Sequence, residues 1–342
     1  MKKILSIITT AAMVFGLAGC SSGSSATAST SAAATSASAS EAASSSSASA
    51  AADADRLVAQ GVTPKIGYLA PSLQTEFMIG IGKDLKAECD SRGWDYTEAS
   101  FDNDSGKAVT SIENMVTSGV NVLLARVSDS SCDDALKAAM DQGVLVVESG
   151  VITDAYDIAL NVDQYHVGEM IAEMAADWAD SEHDGKVNYV VYTTYQNSDM
   201  QNRGQGIQDK FAELCPDSTL LEVVDIGKDV VGSGTSTTET MLQKYPDIDL
   251  ILCYGDAAAT ESVEAVKAAG KADGFGIFSC DGTESAIKNI ANGDVQQGTL
   301  QFGSLGKMVA ENVQKYIEGT RFTDVVTMDP VKITAENVAD YE

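Results

Sequence analysis

From residue 65 onward, short apolar runs alternate with longer segments whose apolar residues recur at helical spacing. The first run, Lys65-Ile66-Gly67-Tyr68-Leu69-Ala70, is closed by Pro71. Residues 76–92 follow with Phe77, Ile81, Leu85 and Cys89 on one helical face, and Gly93 stops them. The pattern then predicts strands over 94–101, 122–125, 144–147 and 158–162. The intervening helices are 105–118, stopped by Gly119, and 130–142, stopped by Gly143. Val144-Leu145-Val146-Val147 has the continuous branched content of a strand covered on both faces.

A second series begins with a helix over 165–179. Strands are expected at 187–192, 220–225, 250–254, 275–279 and 296–300. Helices are expected at 199–214, 237–245, 257–269, 284–291 and 306–317. Strands alternating with helices of this length imply parallel sheets built from right-handed crossover units. Two such series imply an α/β chain of two doubly wound lobes. Ligands of such sheets sit beyond the carboxyl ends of the strands, which places a site in the cleft between the lobes.

Ahead of the alternating region the pattern changes. Met1-Lys2-Lys3 is basic, and residues 4–18 form an apolar stretch of about 15 residues, short of the ~20 that a spanning helix needs. It closes on Leu17-Ala18-Gly19-Cys20, with small residues before the cut and a thiol directly after it. This resembles the lipobox of bacterial lipoproteins, and implies a signal peptide over 1–19 and a lipid on Cys20. Residues 21–52 are almost wholly Ser, Ala, Thr and Gly, a composition that cannot bury enough apolar area to fold, so 20–62 is expected to be a lipidated tether. As a flexible coil of about 35 residues its reach is ~30–35 Å. About 280 residues remain, ample for a large core.

Lys and Arg total 22 against 50 Asp and Glu, a formal net charge of -28. Such a chain lacks the cationic footprint that nucleic acid requires, so no nucleic-acid partner is expected. After Cys20 come Cys89, Cys132, Cys215, Cys253 and Cys280, an odd set with no C-x-x-C pair. Buried free thiols are the plainer reading, with a disulfide among them left open.

Candidate chemistry is sparse. Gly232-Ser233-Gly234 lacks the Lys-Ser/Thr of a phosphate loop and reads as a flexible turn. There is no G-x-S-x-G elbow. His166 opens a helix, His183 reads as an exposed loop residue, and the two stand in no metal-ligand spacing. Asp102-Asn103-Asp104-Ser105-Gly106 has its glycine one place early for a calcium loop, and reads as a turn capped by Asp104 or Ser105. No nucleophile, base or metal set stands out, so neither an enzyme nor a cofactor or metal is expected.

Four segments do stand out at expected strand ends: residues 71–78, 256–259, Ser279-Cys280-Asp281-Gly282-Thr283, and Gly298-Thr299-Leu300-Gln301-Phe302. In this order, with Tyr245-Pro246-Asp247-Ile248 before a strand, the chain resembles the ribose/galactose-type periplasmic binding proteins, the sugar receptors of ABC importers, over residues 64–335. The resemblance implies lobes of 64–162 plus 302–329 and of 163–301 plus 330–342, joined near Val162-Asp163, Gln301-Phe302 and Asp329-Pro330 and closing by a hinge. It implies that Phe77 stacks on ligand, that Asp281 and Gln301 bind it, and that Gln201 stands where the family often has an arginine, with Arg203 a structural arginine two places on.

Elsewhere the chain departs from the family. The family's asparagine after the third strand is Arg126, its Asp-Arg after the fourth is Glu148-Ser149, and its Asn-Asp step is Gly255-Asp256, leaving Asp256 as a helix cap. Arg126, Glu148, Tyr195 and Tyr254 supply polar or aromatic groups in exchange, so the expected ligand is a sugar, a sugar derivative or a nucleoside-like molecule. The implied function is a monomeric, lipid-anchored receptor on the outer face of the cell membrane, delivering its ligand to an ABC permease. The alternative is a receptor subunit for a membrane signalling protein.

Overall fold

The computed structural model describes residues 56–195, 198–227 and 232–341. Cys20, the apolar leader and most of the tether lie outside these residues. The sheets follow from the continuous apolar runs. β1 (Lys65–Ala70), β2 (Asp95–Ser100), β3 (Val122–Ala125), β4 (Leu145–Ser149), β5 (Ile158–Asn161) and the late strand β11 (Val326–Thr327) form one all-parallel sheet in the order β11-β5-β4-β3-β1-β2. β6 (Asn188–Thr193), β7 (Thr219–Asp225), β8 (Leu250–Cys253), β9 (Gly276–Phe278), β10 (Gln296–Gln301) and β12 (Val331–Thr334) form the other, in the order β12-β10-β9-β8-β6-β7. Only β12 among them runs antiparallel.

Alternation along each strand feeds two cores per sheet. Ile66, Tyr68, Val122, Leu124, Leu145 and Val147 pack with α1 (Glu76–Arg92) and α9 (Leu305–Ile317). Leu69, Leu123 and Val146 face the other way, onto α2 (Ser105–Thr117) and α3 (Asp133–Asp141). In the second lobe α4 (Gln164–His183) and α5 (Ser198–Leu214) cover one face, and α6 (Ser233–Lys244) and α7 (Asp256–Ala268) the other. The chain crosses between sheets three times: after β5, after β10, and between β11 and β12. It is the two-lobe, three-crossing architecture of the type I periplasmic binding fold.

Local signals behave largely as the sequence implies. Gly93 ends α1 in the left-handed conformation (φ 70°), and Asp104 caps α2 by accepting from the Lys107 amide at 3.1 Å. Cys89, Cys132, Cys215, Cys253 and Cys280 are all buried free thiols.

Three expectations need correction. Gly234 is no flexible turn: α6 begins at Ser233, and a Cβ at 234 would collide with the Ala258 carbonyl, so the glycine lets α6 and α7 touch by backbone. His183 is the last residue of α4, not a loop residue; its ring lies 4.9 Å from that of Trp178, and its Nε2 lies 2.9 Å from the Gly274 carbonyl. Asp256 is not a surface cap; it is wholly buried, with a role described below.

Candidate functional site

Two strand switch points, between β1 and β3 and between β6 and β8, set where loops part and leave a crevice. Phe77 and Arg126 come from the first lobe; Thr194, Tyr195, Asp199, Tyr254 and Asp281 follow the carboxyl ends of β6, β8 and β9 in the second.

Phe77 is the second residue of α1. The Tyr68 hydroxyl, rising from β1, donates to the Met78 carbonyl at 3.3 Å and so pins the first turn that carries Phe77. The Phe77 ring meets that of Phe302 edge to face, with centroids 6.4 Å apart and planes at 62°. Phe302 sits on the crossing after β10. A cation flanks each ring: the Arg126 guanidinium lies 5.7 Å from the Phe77 centroid and the Arg203 guanidinium 5.8 Å from that of Phe302.

Arg126 follows β3, its amide donating to the Leu69 carbonyl at 3.1 Å. Its Nη1 donates to Ser149 Oγ at 2.9 Å, while Nε is buried and donates to no described residue. Burial works against its charge, with Tyr68, Asp281 and Asp199 near enough to support it and Arg203 near enough to oppose it. Arg126 of one lobe therefore shares its electrostatic surroundings with Asp281 and Asp199 of the other.

Asp281 sits in a fixed turn. Its amide donates to the Leu300 carbonyl at 2.8 Å, and its Oδ2 accepts from the Asp256 amide at 3.2 Å. Its φ of 121° is a conformation that L residues rarely adopt. Gly282 follows at φ 64°, and a Cβ there would strike Gln301 at 2.6 Å, so the Gln301 stem packs directly on the turn.

Beneath lies Asp256. Its Oδ1 accepts from Ser279 Oγ (2.6 Å), Thr299 Oγ1 (2.8 Å) and Gln296 Nε2 (3.4 Å), and its Oδ2 from the Thr283 amide (2.9 Å) and Thr283 Oγ1 (3.0 Å). Burial still pushes its carboxyl up to about 6, against the pull of those donors.

Arg203 ties the second lobe to the crossings. Its Nε and Nη2 donate to Gln164 Oε1, just past the first crossing, and its Nη1 donates to the Tyr254 carbonyl (2.6 Å) and the Cys280 sulfur (2.8 Å). Gly168 and Gly206 let α4 and α5 approach closely enough to bring these groups together. At the lip, the Ser285 amide of the second lobe donates to Glu76 Oε1 of the first at 3.1 Å.

The seven candidates thus divide. Phe77, Arg126 and Asp281 gather around one space, with Gln301 behind the Asp281 turn. Tyr195 and Gln201, past the carboxyl end of β6, are both exposed, with Gln201 Nε2 donating to the Tyr195 carbonyl at 3.3 Å. Glu148 points into the other face of β4. It is fully buried and accepts from the Thr153 amide (2.7 Å) and Thr153 Oγ1 (2.8 Å), which closes the loop after β4. Asp199 and Phe302 were not among the candidates. The signal for Asp199 was its place just beyond β6, at a switch point, which reading it only as the start of a helix passed over.

A family model described as a periplasmic binding protein domain matches residues 66–321. The ribose import binding protein of Bacillus subtilis (strain 168) is 24% identical over 276 residues, spanning 79% of this chain and 87% of that protein. The fructose import binding protein of Bifidobacterium longum (strain NCC 2705) is 25% identical, over 74% of this chain and 79% of its own. Among solved structures, an ABC transporter periplasmic solute binding protein from Actinobacillus succinogenes 130z with bound D-allose superposes with a TM-score of 0.72 at 23% identity, covering 82% of this chain and 100% of that one.

Burial raises the Glu148 carboxyl from 4.5 to about 7. The folded state then holds a proton that the unfolded chain releases near 4.5. The Glu148 contribution is greatest below that pH, falls as pH rises toward 7 and is flat above, by up to roughly 3 kcal/mol. Urea denaturation of wild type and Glu148→Gln across pH 4.5–8 should show a smaller decline for the variant. Parallel curves for the two proteins would contradict this.

Proposed function

This chain belongs to the periplasmic binding protein domain family, and from that premise we propose that it is a receptor that captures a sugar between its lobes and hands it to an ABC importer. The observation that carries the reading is that Arg126 and Asp281, from opposite lobes, lie within electrostatic reach of each other, with Arg126 over the Phe77 ring and Phe302 edge-on to it. Aromatic rings suit the apolar C–H faces of a sugar. Charged planar groups suit its hydroxyls, and a partner left unpaired in a closed cleft discriminates against the wrong ligand. The ribose and fructose import binding proteins among its relatives, and the D-allose-bound structural neighbour, support the same ligand class. The receptor carries its ligand unchanged and acts outside the cytoplasm.

Closure takes 64–162 with 302–329 as one body and 163–301 with 330–342 as the other. Lipid on Cys20 holds a monomeric receptor to the outer face of the cell membrane, beside its permease. Two or more acyl chains make such anchoring stable. The Ser/Ala tether leaves the lobes room to open, close and dock.

A thermal-shift panel of D-ribose, D-allose and D-fructose at millimolar concentration tests the ligand class. At a hundredfold excess over Kd, binding adds about 2.7 kcal/mol, which for a folded region of this size raises the midpoint by about 4–5 °C. At least one sugar should do so; no shift with any of them overturns the sugar reading. For the anchor, Cys20→Ser should move the chain from the membrane to the soluble fraction of expressing cells. Unchanged membrane retention would remove Cys20 as the attachment point.

A further inference from the structure

We infer that Asp199 is a specificity-determining residue of the cleft, and that with Arg126 it selects an uncharged, polyhydroxylated ligand. The inference rests on the sugar-receptor reading above. Asp199 is the second residue of α5, just beyond β6. Among the described residues, its buried Oδ2 accepts no hydrogen bond, and the buried Nε of Arg126 donates none. Buried polar atoms are nearly always paired, so two lone ones at the same cleft mark groups awaiting a ligand. They have opposite senses, an acceptor from the second lobe and a donor from the first. A ligand carboxylate would satisfy Arg126 but repel Asp199, and an ammonium would do the reverse. A hydroxyl both donates and accepts, so neighbouring hydroxyls satisfy both.

Charge leads to the same class. Arg203 bonds to the amide oxygen of Gln164, the carbonyl of Tyr254 and the thiol of Cys280, and Arg126 to the hydroxyl of Ser149. Among the described residues neither arginine forms an ion pair at contact distance, so their two charges are met through space by Asp199 and Asp281. These four groups sum to zero. Asp256 lies beneath them, its carboxylate held, among the described residues, only by neutral donors, so it adds negative charge and leaves no cation free for an anionic ligand. A ligand bringing net charge into this partly water-excluded space would upset the balance.

Burial is also the largest influence on Asp199 and raises its carboxyl above the ordinary range. A residue kept for ligand binding at such a cost can be replaced without destabilising the empty protein. Calorimetric titration of the full chain tests this, with D-ribose, D-allose, D-fructose and myo-inositol as neutral probes and D-ribose 5-phosphate and D-glucuronate as anionic ones. In wild type at least one neutral probe should bind, with the anionic probes at least tenfold weaker. Asp199→Ala should lose at least tenfold in affinity for the neutral probe, with no fall in the thermal midpoint of the ligand-free protein. Asp199→Asn, which keeps the shape and removes the charge, should narrow the gap between anionic and neutral probes. Tighter binding of an anionic probe to wild type, neutral-probe affinity unchanged in both variants, or a lower ligand-free midpoint in both, overturns the inference while leaving the sugar receptor standing. No binding by any probe overturns both.

Discussion

A carboxylate sealed from water, that of Asp256, fixes the cleft side of the second lobe. Burying it is costly, and the structure offsets that cost with three hydroxyls, one amide side chain and one backbone amide. Those donors come from the residue just past β9, from the loop that enters α8 (Glu284–Ala291) and from β10, so one side chain joins three segments to the start of α7. The backbone amide of Asp256 in turn holds Asp281, whose unusual φ persists because the turn is fixed from several sides. Removing one donor would leave part of a buried charge unmet, a larger loss than one hydrogen bond elsewhere.

The first lobe is built differently at the same point. Its cleft groups, Phe77 in the first turn of α1 and Arg126 just past β3, are held by packing and a few bonds: Tyr68 to Met78, and Arg126 to Ser149. One side thus presents a rigid polar turn and the other an arginine laid over an aromatic ring. Phe302 and Gln164 lie beside the chain crossings, and both touch Arg203, so this arginine joins the cleft side of the second lobe to two of the crossing segments.

Much of this was legible in the sequence because burial of a parallel sheet on both faces writes itself as continuous apolar runs. Helices between them were bounded by glycines whose left-handed geometry the structure bears out at Gly93, Gly119 and Gly143. β11 and β12 escaped notice because they are two and four residues long, at the sheet edges and largely half-exposed, where little apolar pattern is required. Side-chain direction was harder to read. Glu148 and Ser149 are neighbours on one strand, and the twofold alternation sends Ser149 to Arg126 and Glu148 to the opposite face. Asp256 resembles a helix cap in sequence because its first-turn position is genuine. Its burial depends on β9 and β10 arriving from 20 to 45 residues away, which no local pattern reveals.

The most direct measurement is a crystal structure with the neutral monosaccharide that stabilises the protein most. One sugar should lie between the lobes beside Phe77 and Phe302, with its oxygens within about 3 Å of Arg126 Nε and Asp199 Oδ2. Sugar bound outside the cleft, or inside it with both of those atoms still unpaired, would contradict the proposed mode of capture.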